Sequence, residues 1–275
     1  IHGLDKKNYV MERIHATAPD GTQVPLSIAY RKDLQKKDGT NPALMYGYGS
    51  YGATIDPYFD SNRFSLIDRG FVYAIAHIRG GYDMGREWYE KGKMEFKRNS
   101  FTDFIACGEH LIKEGYVAKD KLAIQGGSAG GLLVGACMTM RPDLFKAVIA
   151  KVPFMDVVTT MEDASIPLTT QEYDQWGNPE DKAMFEYMLS YSPYDNLRKT
   201  DYPNLLITTG LNDPRVSFWE PAKFTAKLRE LKTDDNLVLF YVNYDSGHAG
   251  ASGRYDYIKE IALDYAFLMD RMGIK

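Results

Sequence analysis

Ser128 stands in the run Gly126-Gly127-Ser128-Ala129-Gly130, directly after the apolar stretch Leu122-Ala123-Ile124. A serine flanked this way can occupy a sharp strand-to-helix turn that lifts its hydroxyl clear of a sheet. The same letters could form an ordinary Gly/Ser turn, but here strand, turn and apolar helix follow in the order a nucleophile elbow needs. A hydroxyl is a weak nucleophile at neutral pH and requires an adjacent base. In such a site an acid and then a histidine follow the serine along the chain. Of the five histidines, His2, His15, His77, His110 and His248, only His248 lies downstream of Ser128. It falls in Asp245-Ser246-Gly247-His248-Ala249-Gly250, a loop of small residues before the last helix. Eleven aspartates separate the serine from this histidine. Asp213 is favoured, because it follows the apolar run 205–209 through Gly210-Leu211-Asn212, at the strand end where ligands gather in parallel sheets. Asp234 and Asp235 precede the final strand and face the wrong end. Asp245 is the weaker rival, only three residues before His248.

Acyl transfer also needs donors for a developing oxyanion. The backbone N–H of Ala129, just after the nucleophile, is one. A second is expected from the loop Tyr46-Gly47-Tyr48-Gly49-Ser50-Tyr51-Gly52, where a phenol or a backbone N–H could approach Ser128.

These groups need a scaffold, and the hydrophobic pattern describes one. Residues 9–17 and 23–31 read as strands joined at the turn Pro19-Asp20-Gly21. Short apolar runs at 43–47, 71–76, 121–125, 147–150, 205–209 and 237–242 have the length and composition of buried strands. Helical periods cover 101–114, 129–138, 219–231 and about 254–271. Strands alternating with helices imply a mostly parallel sheet covered on both faces. Residues 155–200 break the rhythm and read as an insertion over one edge of the sheet, close to the site.

Composition narrows the class. The chain has 275 residues, 44% hydrophobic and 25% charged, so one large core is possible. A net charge of −4 with no basic run argues against a nucleic-acid partner. No segment is long and apolar enough to span a membrane, and no signal peptide is visible. Cys107 and Cys137 fall in apolar helical stretches and read as buried thiols, which favours a reducing, cytoplasmic setting. The chain starts at Ile1, so a segment before it is open. The chemistry calls for no metal and no cofactor.

Several motifs together resemble the catalytic domain of the prolyl oligopeptidase family. They are the 46–52 loop, Arg79-Gly80-Gly81, Gly85-Arg86-Glu87-Trp88-Tyr89, Gly126 to Gly131, and Asp245-Ser246-Gly247-His248. Trp176-Gly177-Asn178-Pro179, Ser190 to Asn196 and Trp219-Glu220-Pro221-Ala222-Lys223 resemble its oligopeptidase B branch. The likeness runs from about residue 8 to 270. It implies an α/β-hydrolase fold in a single domain over residues 1–275, with Ser128, Asp213 and His248 as the triad. It implies that the Tyr48 hydroxyl serves the oxyanion hole beside Ala129. It also implies cleavage of short peptides after Arg or Lys, with Glu172 and Asp174 as the acids that receive the basic side chain. By the same resemblance Arg215 holds a substrate carbonyl, and Asp56 belongs to an acid pair for a second basic residue. Tyr58 stands where the other acid of that pair would be. Asp174 stands where Glu is common, and the 79–83 run is less glycine-rich. No repeat of propeller blades is present, so the family's covering β-propeller is either a missing partner domain or never existed.

Three functions compete at this point: a peptidase for basic peptides, a carboxylesterase using the same triad on small esters, and a non-catalytic interaction module. The intact Ser, Asp and His oppose the last. The two acids, if they share a side of an extended stretch, favour the first.

Overall fold

The computed structural model describes residues 4–275, apart from the side chain of Arg254; His2 lies outside this range. Eight strands form one sheet: β1 Tyr9–Thr17, β2 Gln23–Arg31, β3 Ala43–Tyr46, β4 Val72–Ala76, β5 Leu122–Gly127, β6 Ala147–Lys151, β7 Asn204–Gly210 and β8 Val238–Asn243. Their spatial order is β1-β2-β4-β3-β5-β6-β7-β8. β2 runs antiparallel to both β1 and β4, and all later pairings are parallel. This is the mostly parallel sheet expected from the alternation of strands and helices, in the α/β-hydrolase arrangement that the resemblance implies.

The central strands are nearly continuous apolar runs because both their faces are covered. Met45, Ala74, Ile124, Val148 and Leu205 point to one face, and Leu44, Tyr73, Ala123, Ile149 and Leu206 to the other. The first face packs on α3 Arg98–Lys113, α4 Ala129–Met140 and α8 Trp219–Leu231. The second packs on α1 Phe64–Ile67 and α9 Arg254–Met272. Helix α4 is apolar all round and buried from Ala129 to Thr139, as a helix at the centre of a layer must be. Cys107 on α3 and Cys137 on α4 are both buried and free, and burial raises both thiols well above their ordinary pKa. Among the described residues no helix is long and apolar enough to cross a membrane.

Three shorter helices and a 3-10 turn occupy the excursion between β6 and β7. They are α5 Val157–Glu162, a 3-10 turn Thr169–Glu172, α6 Tyr173–Trp176 and α7 Lys182–Leu189, while α2 Arg86–Glu90 lies earlier in the chain. The excursion does not lie over a sheet edge, because β6 and β7 are interior strands. It reaches back across the strand ends to the loops after β3 and β4. There Tyr51 donates to Glu172 at 2.8 Å, and the Arg98 N–H donates to the Tyr187 hydroxyl at 3.0 Å. The excursion therefore roofs the middle of the sheet.

One buried ion pair ties the β4 loop to α3. Arg79 Nε and Nη2 donate to Asp103 Oδ2 and Oδ1 at 2.9 and 2.6 Å, and the Arg79 N–H reaches Oδ2 at 3.0 Å. Arg79 Nη1 also donates at 2.5 Å to Asp20, in the β1–β2 turn. Burial alone would raise the Asp20 carboxyl, but Arg79 and the Thr22 N–H bring it down to about 2. Removing one member of a buried pair strands the other charge, which typically costs about 3–5 kcal/mol. We therefore expect Asp103→Ala to lower stability by an amount of that order, read as a shift in the urea midpoint. An unshifted midpoint would show that this pair carries no stability.

Candidate active site

β5 ends at Gly127 and α4 begins at Ala129, leaving Ser128 alone in the turn with φ 58° and ψ −120°. A non-glycine residue in this region is strained. Its neighbours hold it there. The Ser128 N–H donates to Lys151 O at 2.9 Å, and its carbonyl accepts from the Gly131 and Phe154 N–H groups at 2.8 and 3.1 Å. The chain comes so close that a Cβ on Gly126 would meet Gly130 O at 2.1 Å, and one on Gly131 would meet Pro153 Cβ at 2.3 Å.

The turn presents the Ser128 hydroxyl to His248, with Oγ 2.9 Å from Nε2. On the other side of the ring, Nδ1 lies 2.7 Å from Asp213 Oδ2. Asp213 Oδ1 is occupied by the Arg215 and Val216 N–H groups at 2.9 and 3.0 Å. Burial pushes the Asp213 carboxyl up, but His248 and those two N–H groups outweigh it, so it lies below the ordinary range. It is therefore an anion aimed at the imidazole. Asp245 is exposed on the surface and makes no side-chain bond to His248 among the described residues.

Tyr48 and Ala129 line one cavity with Ser128, of about 380 Å³. As the first residue of α4, Ala129 has an N–H with no acceptor inside the helix. Burial, with the nearby Tyr46 and Glu172, pushes the Tyr48 phenol up to about 12. It keeps its proton at neutral pH and can donate. Beneath this loop lies a residue that sequence reasoning missed. Lys97 is buried, and its Nζ donates to Gly49 O at 2.6 Å, Ser50 Oγ at 2.9 Å and Ser100 Oγ at 3.2 Å. Burial lowers its ammonium to about 7. Its only sequence signal is a charge just ahead of an amphipathic helix, which reads as surface.

The expected substrate residues divide. Glu172 lines the cavity, its Oε2 accepting from Tyr51 at 2.8 Å and Trp176 Nε1 at 2.9 Å. Arg215 is at the rim of the same cavity with its side chain exposed. Asp174 is exposed and does not line the cavity. The shared side for Glu172 and Asp174 required an extended stretch, whereas residues 169–176 are helical. Two positions in a helix are turned about 200° apart, so the pair diverges. Asp56 lies away from Ser128, in a separate cleft with Tyr58, Asp60 and Arg63.

A second Ser-His-Asp array exists: Ser27 Oγ is 2.9 Å from His77 Nε2, and His77 Nδ1 is 2.9 Å from Asp83 Oδ1. Ser27 lies within strand β2, and His77 is buried. This array fastens the loop after β4 to the sheet.

The fold and the geometry at Ser128 together define an α/β-hydrolase carrying a Ser-His-Asp constellation. The prolyl oligopeptidase family model matches residues 57–275, and the chain belongs to that family. It is 53% identical over 275 residues to dipeptidyl aminopeptidase BI of Pseudoxanthomonas mexicana, covering 100% of this chain and 38% of that protein. It is 50% identical to protease 2 of Moraxella lacunata, covering 98% of this chain and 39% of the relative. Among solved structures, oligopeptidase B from Trypanosoma brucei with covalently bound antipain superposes with a TM-score of 0.97. That chain is 55% identical, with 99% of this chain and 38% of that one covered. The chain thus spans less than two-fifths of the length of these relatives.

The geometry separates the two rival aspartates. We expect Asp213→Asn to lower kcat by roughly 10⁴, because an amide supports the wrong imidazole tautomer. Asp245→Asn should leave kcat within a factor of a few. Steady-state rates of the two variants decide it, and an inactive Asp245 variant would reverse the assignment.

Proposed function

We propose that this chain is the catalytic domain of a serine peptidase that cleaves short peptides after Arg or Lys. The observation that carries the reading is the relay Asp213–His248–Ser128, with contacts of 2.7 and 2.9 Å, opening into a cavity that holds the Glu172 carboxylate. In this reading His248 takes the Ser128 proton as Oγ attacks the substrate carbonyl. Asp213, an anion, stabilises the resulting imidazolium without taking its proton. The Tyr48 hydroxyl and the Ala129 N–H receive the oxyanion, and His248 returns the proton to the leaving amine. Water then hydrolyses the acyl-enzyme by the same steps. In this reading Arg215, at the cavity rim, holds a substrate carbonyl.

Family membership favours peptide bonds over small esters, since the relatives named above are all peptidases or proteases by name. The basic preference is supported by Glu172 and by the likeness to oligopeptidase B and protease 2. Asp56, in its separate cleft, is retained in this reading only as a contact for a more distant part of a peptide. A β-propeller partner is also part of it, supported by coverage of only 38% of the Pseudoxanthomonas relative.

Two measurements test the proposal. Ser128→Ala should abolish labelling by a fluorophosphonate and lower turnover by several orders of magnitude; normal labelling would remove Ser128 from the mechanism. Glu172→Gln should lower kcat/KM for an Arg substrate about ten-fold or more, the scale of one lost charge-assisted hydrogen bond. A small acyl ester run in parallel gives the contrast. Equal loss on both substrates would mark Glu172 as structural, and an enzyme that prefers the ester would be an esterase.

A further inference from the structure

We infer that Glu220 is the second specificity-determining carboxylate of the substrate cavity, filling the part that sequence reasoning assigned to Asp174. The inference rests on the proposed preference for basic side chains and deepens it. Glu220 stands in the first turn of α8, only 2% exposed, and lines the same cavity as Ser128, Glu172 and Trp176. By exposure it is the innermost charged group there, while Arg215 stays at the rim.

Its bonding leaves room for a cation. Oε2 accepts from the Met155 and Asp156 N–H groups at 3.0 and 3.1 Å, and Oε1 accepts from Thr160 Oγ1 at 2.7 Å. A carboxylate offers about four acceptor sites, so one on Oε1 remains. All three donors are neutral. Among the described residues no Lys, Arg or His pairs with Glu220, whereas the adjacent Asp156 already has Lys223. A guanidinium carries five donors in a planar fork. Entering between Glu172 and Glu220, it can bond to both.

The charges around Glu220 give the interaction a pH signature. Burial, with the neighbouring Asp156, raises its carboxyl to about 7, against the pull of Thr160 and the two N–H groups. Glu172 faces the same cavity as a second acid. Lys223 answers Asp156, and Arg215 is solvent-exposed, so neither neutralises Glu220. A cationic ligand favours the ionised form. Affinity for that ligand should therefore rise with pH through about 7, and fall below it where a proton competes.

The test compares kcat/KM for an N-acyl-Arg anilide and its citrulline counterpart, a neutral isostere, from pH 5.5 to 8.5. Taking the ratio at each pH cancels the shared titration of the triad. In the wild type the Arg/citrulline ratio should climb through neutrality. Glu220→Gln keeps an acceptor for both N–H groups and an amide that can donate to the Thr160 hydroxyl. It should lower the ratio at pH 8 about ten-fold or more and flatten its pH dependence. Asp174→Asn should leave both unchanged. A wild type without Arg preference overturns the basic-substrate reading itself. A wild type that prefers Arg, paired with a Glu220→Gln variant that keeps the ratio and its slope, overturns the role of Glu220 alone. If that variant does not fold, the wild type still decides. Calorimetry of butylguanidinium binding near pH 7 in buffers of different ionisation enthalpy should show proton release that butylurea lacks, and equal release by both counts against the inference.

Discussion

The turn at Ser128 is the constraint on which the rest depends. A serine with φ 58° costs roughly 1–3 kcal/mol against a relaxed backbone. It persists because its N–H and C=O are fully engaged by β6 and by the segment that follows it. The central parallel strands must therefore end in register, and the glycines on either side must lack Cβ atoms. Once the turn is set, the other parts have fixed targets. β7 has to deliver Asp213 and the β8–α9 loop has to deliver His248 to the same point. That loop is itself tied down, since Glu260 Oε1 accepts from Asn243 Nδ2 at 3.2 Å and from the Ala251 N–H at 3.1 Å.

Around this turn the molecule buries charge unevenly. Arg79 and Asp103 neutralise each other, and Asp213 has His248 and two N–H groups. Among the described residues Lys97 and Glu220 have no oppositely charged partner and depend on neutral ones, and both are shifted toward neutrality, to about 7. Lys97 lies under the loop that carries Tyr48, and Glu220 lines the cavity on which Ser128 opens. A buried unpaired ion is costly, so groups of this kind are concentrated where a ligand or a reacting charge can compensate.

Most of the scaffold was legible in the sequence, because buried parallel strands are short apolar runs and their covering helices are periodic. The strands at 9–17 and 23–31 and the helix at 219–231 have the expected limits. Convergence of Ser128, Asp213 and His248 followed from chain order and from the small residues around them. The excursion between β6 and β7 was less legible. Its helices are too short to establish a period, so its path over the central strands and the helical turn separating Glu172 from Asp174 could not be read. Lys97 and Glu220 were missed for a different reason. A lone charge in a helical segment is ordinarily solvated, and only tertiary packing shows that these two are not.

The two cysteines carry a consequence of their own. Cys107 and Cys137 lie on adjacent helices in the layer beneath the site, both buried and held as neutral thiols. A thiol of this kind is inert until the surrounding layer opens. Their reaction with a disulfide reagent is thus a clock for that opening, started by unfolding rather than by chemistry at the surface. The layer beneath Ser128 thus contains its own reporter of how often it comes apart, with no residue changed to install one.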